Sequence, residues 1–384
     1  MGFEFATAHQ IIFGKGSLSK VADIAPQFGE RALLVTGSGS VPVDRLWGIL
    51  ISAGITGTVF QVDAEPDVPM IMAGLSQAKL EDCGFVIGFG GGSALDAGKA
   101  IAAMLTNPGD LMDYLEVVGA GKEIPNPAAP MIALPTTAGT GTEVTRNAVI
   151  TSPEYHVKVS MRSLKMLPTV AIVDPELTYS MPPSVTASTG LDALTQVIEG
   201  YVSNRANPMT DMVCREGIIR GARSLLRAYK NGQDQGAREG MSLTSLFGGL
   251  ALANGGLGAV HGFAGPIGGM FSAPHGVICA SLLPSVMKYN VRASGLLEGQ
   301  SDLQSRYQDI ARWVTGDPNA SIEDGVAWIA ELADALDIPG LRALGIEKTD
   351  FPQIIEKSKV SSSMQKNPLR LDEAILEAIL EEAF

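Results

Sequence analysis

Four side chains in two short stretches carry donor chemistry. His261 and His275 lie fourteen residues apart, flanked by Gly255-Gly256-Leu257-Gly258 and by Pro274 and Gly276, in a chain with four histidines altogether. Upstream, Gly190-Leu191-Asp192-Ala193-Leu194-Thr195-Gln196 sets a carboxylate and an amide at i and i+4, where a helix turns both towards one neighbour. Two imidazoles, a carboxylate and an amide oxygen suit a metal or substrate site assembled from two separate helices. The same groups would equally serve as hydrogen-bonded interior histidines, with Asp192 at a helix start. The turn-rich runs 262–269 and 274–276 favour a backbone folded around a ligand.

Two further loops could hold an anion. Gly88-Phe89-Gly90-Gly91-Gly92-Ser93-Ala94-Leu95-Asp96-Ala97-Gly98-Lys99 follows an expected strand and opens an expected helix. Successive glycines let backbone N–H groups approach a pyrophosphate, and a helix N-terminus adds a favourable dipole. A tight strand-to-helix connection would read alike, and the spacing differs from the usual G-x-G-x-x-G of a first βα turn. The second loop, Pro135-Thr136-Thr137-Ala138-Gly139-Thr140-Gly141-Thr142-Glu143-Val144-Thr145, is dense in hydroxyls. These can donate to phosphate, ribose or carboxamide, or close local turns on a polar surface.

The elements that must position these groups change character along the chain. Apolar runs at 32–36, 57–62, 84–88, 131–134 and 170–174 alternate with helical patterns. Continuous apolar strands separated by helices predict a parallel, doubly wound α/β sheet covered on both faces. Beyond Asp174-Pro175, long helical patterns at 209–230, 237–253 and 321–336 predict an all-α second half, with Pro182-Pro183 starting its first helix. The boundary is expected near 180, giving an α/β domain over 1–180 and a helical metal and substrate domain over 181–384, with a cleft between them.

Composition narrows the function classes. The 384 residues exceed one ordinary core, and 46% apolar against 18% charged content excludes a largely disordered chain. A formal charge of −13 without a basic cluster argues against nucleic acid. No apolar run is long enough to span a bilayer, and the N-terminus lacks a basic segment followed by an apolar one, so a cytoplasmic protein without membrane partners is expected. Cys83, Cys214 and Cys279 are scattered and odd in number, which fits buried free thiols in a reducing compartment.

Taken in order, these motifs resemble the iron-containing, group III alcohol dehydrogenase family over essentially the whole chain. The likeness runs from Phe13-Gly14-Lys15-Gly16 through Gly90-Gly91-Gly92-Ser93, Asp96 and Lys99, then residues 135–143 and 190–195, to His261 and Pro274-His275-Gly276. It implies a dehydroquinate synthase-like architecture of a Rossmann-like nucleotide-binding domain and a helical domain. The implied activity is NAD(P)-linked interconversion of small alcohols with aldehydes or ketones. By the same resemblance Gly91, Gly92 and Ser93 cradle the pyrophosphate, and Thr136, Thr137, Thr140, Thr145 and Lys158 complete the cofactor site. Asp96 lies near the nicotinamide and, with His261 and His275, is a candidate catalytic group. Asp192, His261 and His275 match three of the family's four metal ligands.

This chain departs from the family pattern at three positions. Gln196 stands where the family's fourth histidine ligand is usual. An amide oxygen there weakens the preference for zinc, and a divalent ion is expected, iron first, with manganese, magnesium or zinc as alternatives. Gly265 replaces a second histidine near the substrate, which enlarges the pocket. Gly37, at a strand end, replaces the acidic residue common in NAD-preferring members. Nothing there repels a 2′-phosphate, Ser38 and Ser40 could bond one, and use of NADP or of both cofactors is favoured. Were a metal absent, His261 or His275 as imidazolium would have to stabilise the substrate oxygen. The alternatives are a metal-independent reductase of the maleylacetate reductase type, against which the retained Asp192 argues, and a dehydroquinate synthase-like lyase. A homodimer is expected by analogy.

Overall fold

The computed structural model describes residues 2–37, 42–155, 157–271, 273–296 and 299–384, in two compact units. One comprises Ala6–Thr137 and Gly141–Ser180; the other comprises Met1–Phe5, Ala138–Thr140 and Met181–Phe384.

The first unit is a six-stranded parallel sheet in the order β1-β8-β5-β4-β2-β3, with β1 Gln10–Phe13, β2 Arg31–Gly37, β3 Thr56–Val62, β4 Phe85–Gly90, β5 Met131–Pro135 and β8 Val170–Val173. The central strands are continuous apolar runs because both faces are covered, and every residue of β4 is buried. Helices α1 Val21–Ile24, α2 Val43–Ser52, α3 Val68–Leu80 and α4 Gly92–Thr106 supply the cover. Buried side chains lie on both sides of the sheet: Leu33, Val35, Val86 and Ala133 in one cluster, Leu34, Phe85, Ile87 and Ile132 in the other. The order reverses between β2 and β4, since β3 lies outside β2 and the chain then returns to its other side. Ligands of open α/β sheets bind beyond the strand C-termini at such a switch point. Here those termini are Gly37 and Gly90.

Three strands escape the sequence pattern: β1 and an antiparallel pair, β6 Asn147–Ser152 and β7 Val157–Arg162. β1 is a four-residue edge strand paired only with β8, and β6 alternates buried with more exposed residues, so neither shows a long apolar run.

The second unit is helical: α5 Pro183–Val202, α6 Pro208–Lys230, α7 Gln235–Asn254, α8 Ala259–Met270, α9 His275–Leu296, α10 Ser301–Thr315, α11 Ile322–Ala335, α12 Phe351–Lys359 and α13 Glu373–Glu382. Side-chain caps fix several starts: Asn207 accepts from the Met209 and Thr210 amides, Ser321 from Asp324 and Asp372 from Ile375. α5 is the central helix, buried all round from Gly190 to Val202 and packed by α6, α7 and α9. The run 262–269, expected as turns, is instead helical within α8 despite its four glycines and internal Pro266. Val260, Phe263, Ala264 and Ile267 are buried there, and that burial outweighs the weak intrinsic helix preference. No single helix among the described residues is long and apolar enough to cross a membrane.

Candidate functional site

The sheet unit brings its two polar loops side by side because β4 and β5 pair with Gly90 opposite Pro135. The Thr136 amide donates to the Gly90 carbonyl at 2.9 Å. A Cβ on Gly91 would stand 3.3 Å from Thr137 Cγ2, and one on Gly90 only 2.7 Å from the Ala94 Cβ and 3.0 Å from the Gly37 nitrogen. At Gly90 the turn comes close to the Gly37 backbone, and α4 opens from it at Gly92. A side chain at Gly37 would meet nothing within 4 Å among the described residues. Ser38 and Ser40 lie outside the described residues.

Asp96 and Lys99, one turn apart on α4, form a buried polar knot. Lys99 Nζ lies 3.0 Å from Asp96 Oδ1 and donates to the Thr142 carbonyl and Thr145 Oγ1 at 3.0 Å each, to Thr142 Oγ1 and to the Asn147 carbonyl. Thr142 Oγ1 also donates to Asp96 Oδ1, and the Val149 amide to Asp96 Oδ2 at 3.0 Å. Asp96 and Thr145, read by resemblance as catalytic and cofactor contacts, thus hold α4 against residues 142–149. Burial lowers the Lys99 pKa against the pull of Asp96 and Glu143. Burial pushes Glu143, in the same loop, up to about 7. Lys158 pairs with Glu65, its side chain 9% exposed. Ser93, Thr137 and Thr140 are half-buried, and Thr136 is buried.

In the helical unit the donor groups converge from three helices, where two had been expected. Asp192 and Gln196 lie mid-way along α5, His261 lies in the first turn of α8, and His275 opens α9. His261 Nε2 stands 3.1 Å from Asp192 Oδ1, and the two imidazole rings are 5.5 Å apart between centroids. Gln196 is turned so that Nε2 donates to the Gly139 carbonyl at 3.2 Å and hydrogen-bonds Asp192, while its buried Oε1 has no hydrogen-bond partner.

Two residues missed in the sequence belong to this group. Cys279, one turn beyond His275 on α9, places Sγ 3.6 Å from His275 Nε2 and 3.8 Å from His261 Nε2. The i,i+4 reasoning applied to Asp192 and Gln196 would have found it. Glu199 lies two turns after Asp192 on α5. Its Oε1 accepts from the Val260 amide at 2.6 Å, at the N-terminus of α8, and its Oε2 meets His261 Nδ1 at 2.8 Å. A carboxylate on Nδ1 fixes the ring so that Nε2 faces Asp192.

One donor atom from each of Asp192, His261, His275 and Cys279 falls within a sphere where all lie within 4.8 Å of one another. Two donors each about 2.1 Å from one ion, at right angles, stand about 3.0 Å apart, so the Asp192 to His261 spacing fits a shared divalent ion. The electrostatics agree. Burial alone would lower the His261 pKa, but Cys279, Asp192 and Glu199 together raise it well above the ordinary imidazole value. His275 is raised, chiefly by the Cys279 sulfur. Asp192 is lowered against its burial by the hydrogen bond from His261 and the charge of His275. The carboxylates of Asp192 and Glu199 thus favour positive charge within the cluster. Gly265 lies one turn beyond His261, and a Cβ there would meet nothing within 4 Å among the described residues.

Comparison with known proteins gives two family matches, to the iron-containing alcohol dehydrogenase model over residues 8–175 and to the C-terminal model of the Fe-containing alcohol dehydrogenase family over residues 186–384. The chain is 36% identical over 395 aligned residues to a 1,3-propanediol dehydrogenase of Klebsiella pneumoniae, covering 100% of this chain and 99% of that protein. It superimposes on a solved 1,3-propanediol oxidoreductase with a TM-score of 0.92, at 35% identity and with 100% of each chain covered. A sulfoacetaldehyde reductase from Bifidobacterium kashiwanohense, solved in complex with NAD+, gives a TM-score of 0.87 at 31% identity, covering 99% of this chain and 98% of that one.

Proposed function

The chain belongs to the iron-containing alcohol dehydrogenase family, and we propose that it interconverts a small alcohol with its aldehyde or ketone, using NAD(P) and a divalent ion held by Asp192, His261 and His275. The observation that carries this reading is the convergence of those three donors from separate helices, with Glu199 orienting His261. When bound, the nicotinamide exchanges the hydride and the ion supplies Lewis acidity towards the substrate oxygen.

The protein's own residues do the placing. Amides at Gly91, Gly92 and Ser93, at the start of α4, receive the pyrophosphate, with Thr136, Thr137, Thr140 and Lys158 around the rest of the dinucleotide. Asp96 and Thr145 act through Lys99, keeping α4 and the hydroxyl loop in register. The open space at Gly265 admits a bulkier alcohol than a histidine there would allow. Three buried free cysteines suit a reducing cytosol.

The test is NAD(P)H oxidation with an aldehyde panel, comparing chelator-stripped protein with protein reloaded with iron, zinc, manganese or magnesium. Activity restored by an ion and lost in His261→Ala supports the reading. Undiminished turnover by stripped protein would favour a metal-independent reductase. Because Gly37 puts no acidic side chain at the end of β2, NADPH should be used at least as well as NADH. Gly37→Asp should then raise the NADH to NADPH ratio of kcat/KM about tenfold or more, by repelling the 2′-phosphate.

A further inference from the structure

Resting on that metal-assisted reading, we propose that Cys279, and not Gln196, supplies the fourth protein donor beside Asp192, His261 and His275. This chain then carries a thiolate-ligated site suited to zinc or cobalt, in place of the oxygen-rich site that an amide ligand would give.

Three observations support the assignment. First, Cys279 follows His275 by one turn of α9, so both side chains stack on one helix face, and Sγ lies 3.6 and 3.8 Å from the two imidazole Nε2 atoms. Second, Cys279 is buried and makes a tight four-donor group with the other three residues, which a sulfur with only a packing role does not require. Third, Gln196 faces Asp192 with its amide nitrogen and not with the oxygen that a ligand would use. Its Nε2 bonds the Gly139 carbonyl and Asp192, and its Oε1 lies against α7, 2.9 Å from where a Cβ on Gly248 would stand. Gln196 is a positioning residue that braces Asp192.

The substitution has a chemical consequence. A thiolate is a softer donor than either an imidazole or an amide oxygen, and it moves selectivity towards zinc and cobalt and away from magnesium.

Cobalt titrated into chelator-stripped, full-length protein tests this, because a thiolate ligand produces an intense near-ultraviolet charge-transfer band that oxygen and nitrogen ligands do not. The expected result is one equivalent of cobalt bound with that band, retained in the double variant Cys83→Ser/Cys214→Ser and in Gln196→Ala. In Cys279→Ser the band should vanish and cobalt affinity fall by about tenfold or more. The double variant retains only the Cys279 thiol, so the assignment stands or falls on it even if Cys279→Ser folds poorly. One equivalent of cobalt bound without the band, with Gln196→Ala weakening it, would overturn the Cys279 assignment and leave the metal-assisted reading standing. No cobalt bound, together with full aldehyde reduction by the stripped protein, would overturn both.

Discussion

Glu199 decides what His261 can offer. One carboxylate oxygen takes the Val260 amide, which has no helical partner at the start of α8, and the other takes His261 Nδ1, directing Nε2 at Asp192. Glu199→Gln keeps the shape but removes the charge that makes His261 a stronger donor. Zinc or cobalt affinity should fall about 10- to 100-fold with the helical circular dichroism intact, and unchanged affinity would mean that the ring is held by its packing alone. Glu143 makes a separate, pH-dependent contribution. Its carboxyl titrates near 7 when folded against an ordinary value of 4.5, because it is buried. Between those values the folded protein keeps a proton that the unfolded chain has lost. Its contribution to stability is therefore greatest below pH 4.5, declines through the window and is level above pH 7, a loss of up to about 3 kcal/mol. Glu143→Gln should melt above the parent at pH 8 and converge with it towards pH 4.5. Melting temperatures that stay parallel across that range would exclude Glu143 as the group responsible.

At the scale of elements, buried Lys99 joins α4 to the segment 142–147 through four oxygen contacts and pairs with Asp96 on its own helix. Removing one partner of a buried pair strands the other charge. Lys99→Met should therefore cost about 3–5 kcal/mol in urea unfolding, and Asp96→Asn added to it should recover part of that loss. An additive double mutant would show the pair to be uncoupled. The same elements show what the sequence reveals. The four interior strands β8, β5, β4 and β2 are legible because sheet interiors read as unbroken apolar runs, edge strand β3 through its β-rich residues, and α6, α7 and α11 because amphipathic helices read at their own period. α8 is not legible, since glycines and Pro266 weaken its local signal while tertiary burial of Phe263 and Ile267 holds it. Asp192, His261 and His275 could be nominated from residue type and spacing. Cys279, four residues after His275, lies within reach of the same i,i+4 reasoning, whereas Glu199 does not, because a glutamate on a buried helix acquires meaning only when three helices converge.

For the whole molecule, the two units carry different proposed ligands: dinucleotide chiefly on the sheet unit, with Thr140 the exception, and metal on the helical one. Each has its own buried core, Val35, Phe89 and Ile132 among the first, Leu191, Phe263 and Ile310 among the second. A ligand stabilises only the structure that binds it, by RT ln(1 + [L]/Kd), or about 2.7 kcal/mol at a hundredfold excess over Kd. NADPH should therefore raise the unfolding transition of the sheet unit and zinc that of the helical unit. The tryptophans distinguish them, since Trp47 lies in the first unit and Trp313 and Trp328 in the second. In Trp47→Phe, fluorescence follows the helical unit alone and its midpoint should respond to zinc far more than to NADPH. In the double variant Trp313→Phe/Trp328→Phe the sensitivities should reverse. If both reporters move together with either ligand, the cores unfold as one cooperative body and binding at one site is felt throughout the chain. If NADPH moves only the helical reporter, the dinucleotide does not bind at the C-terminal ends of β2 and β4, and the roles given to Gly91, Gly92 and Ser93 fail with it.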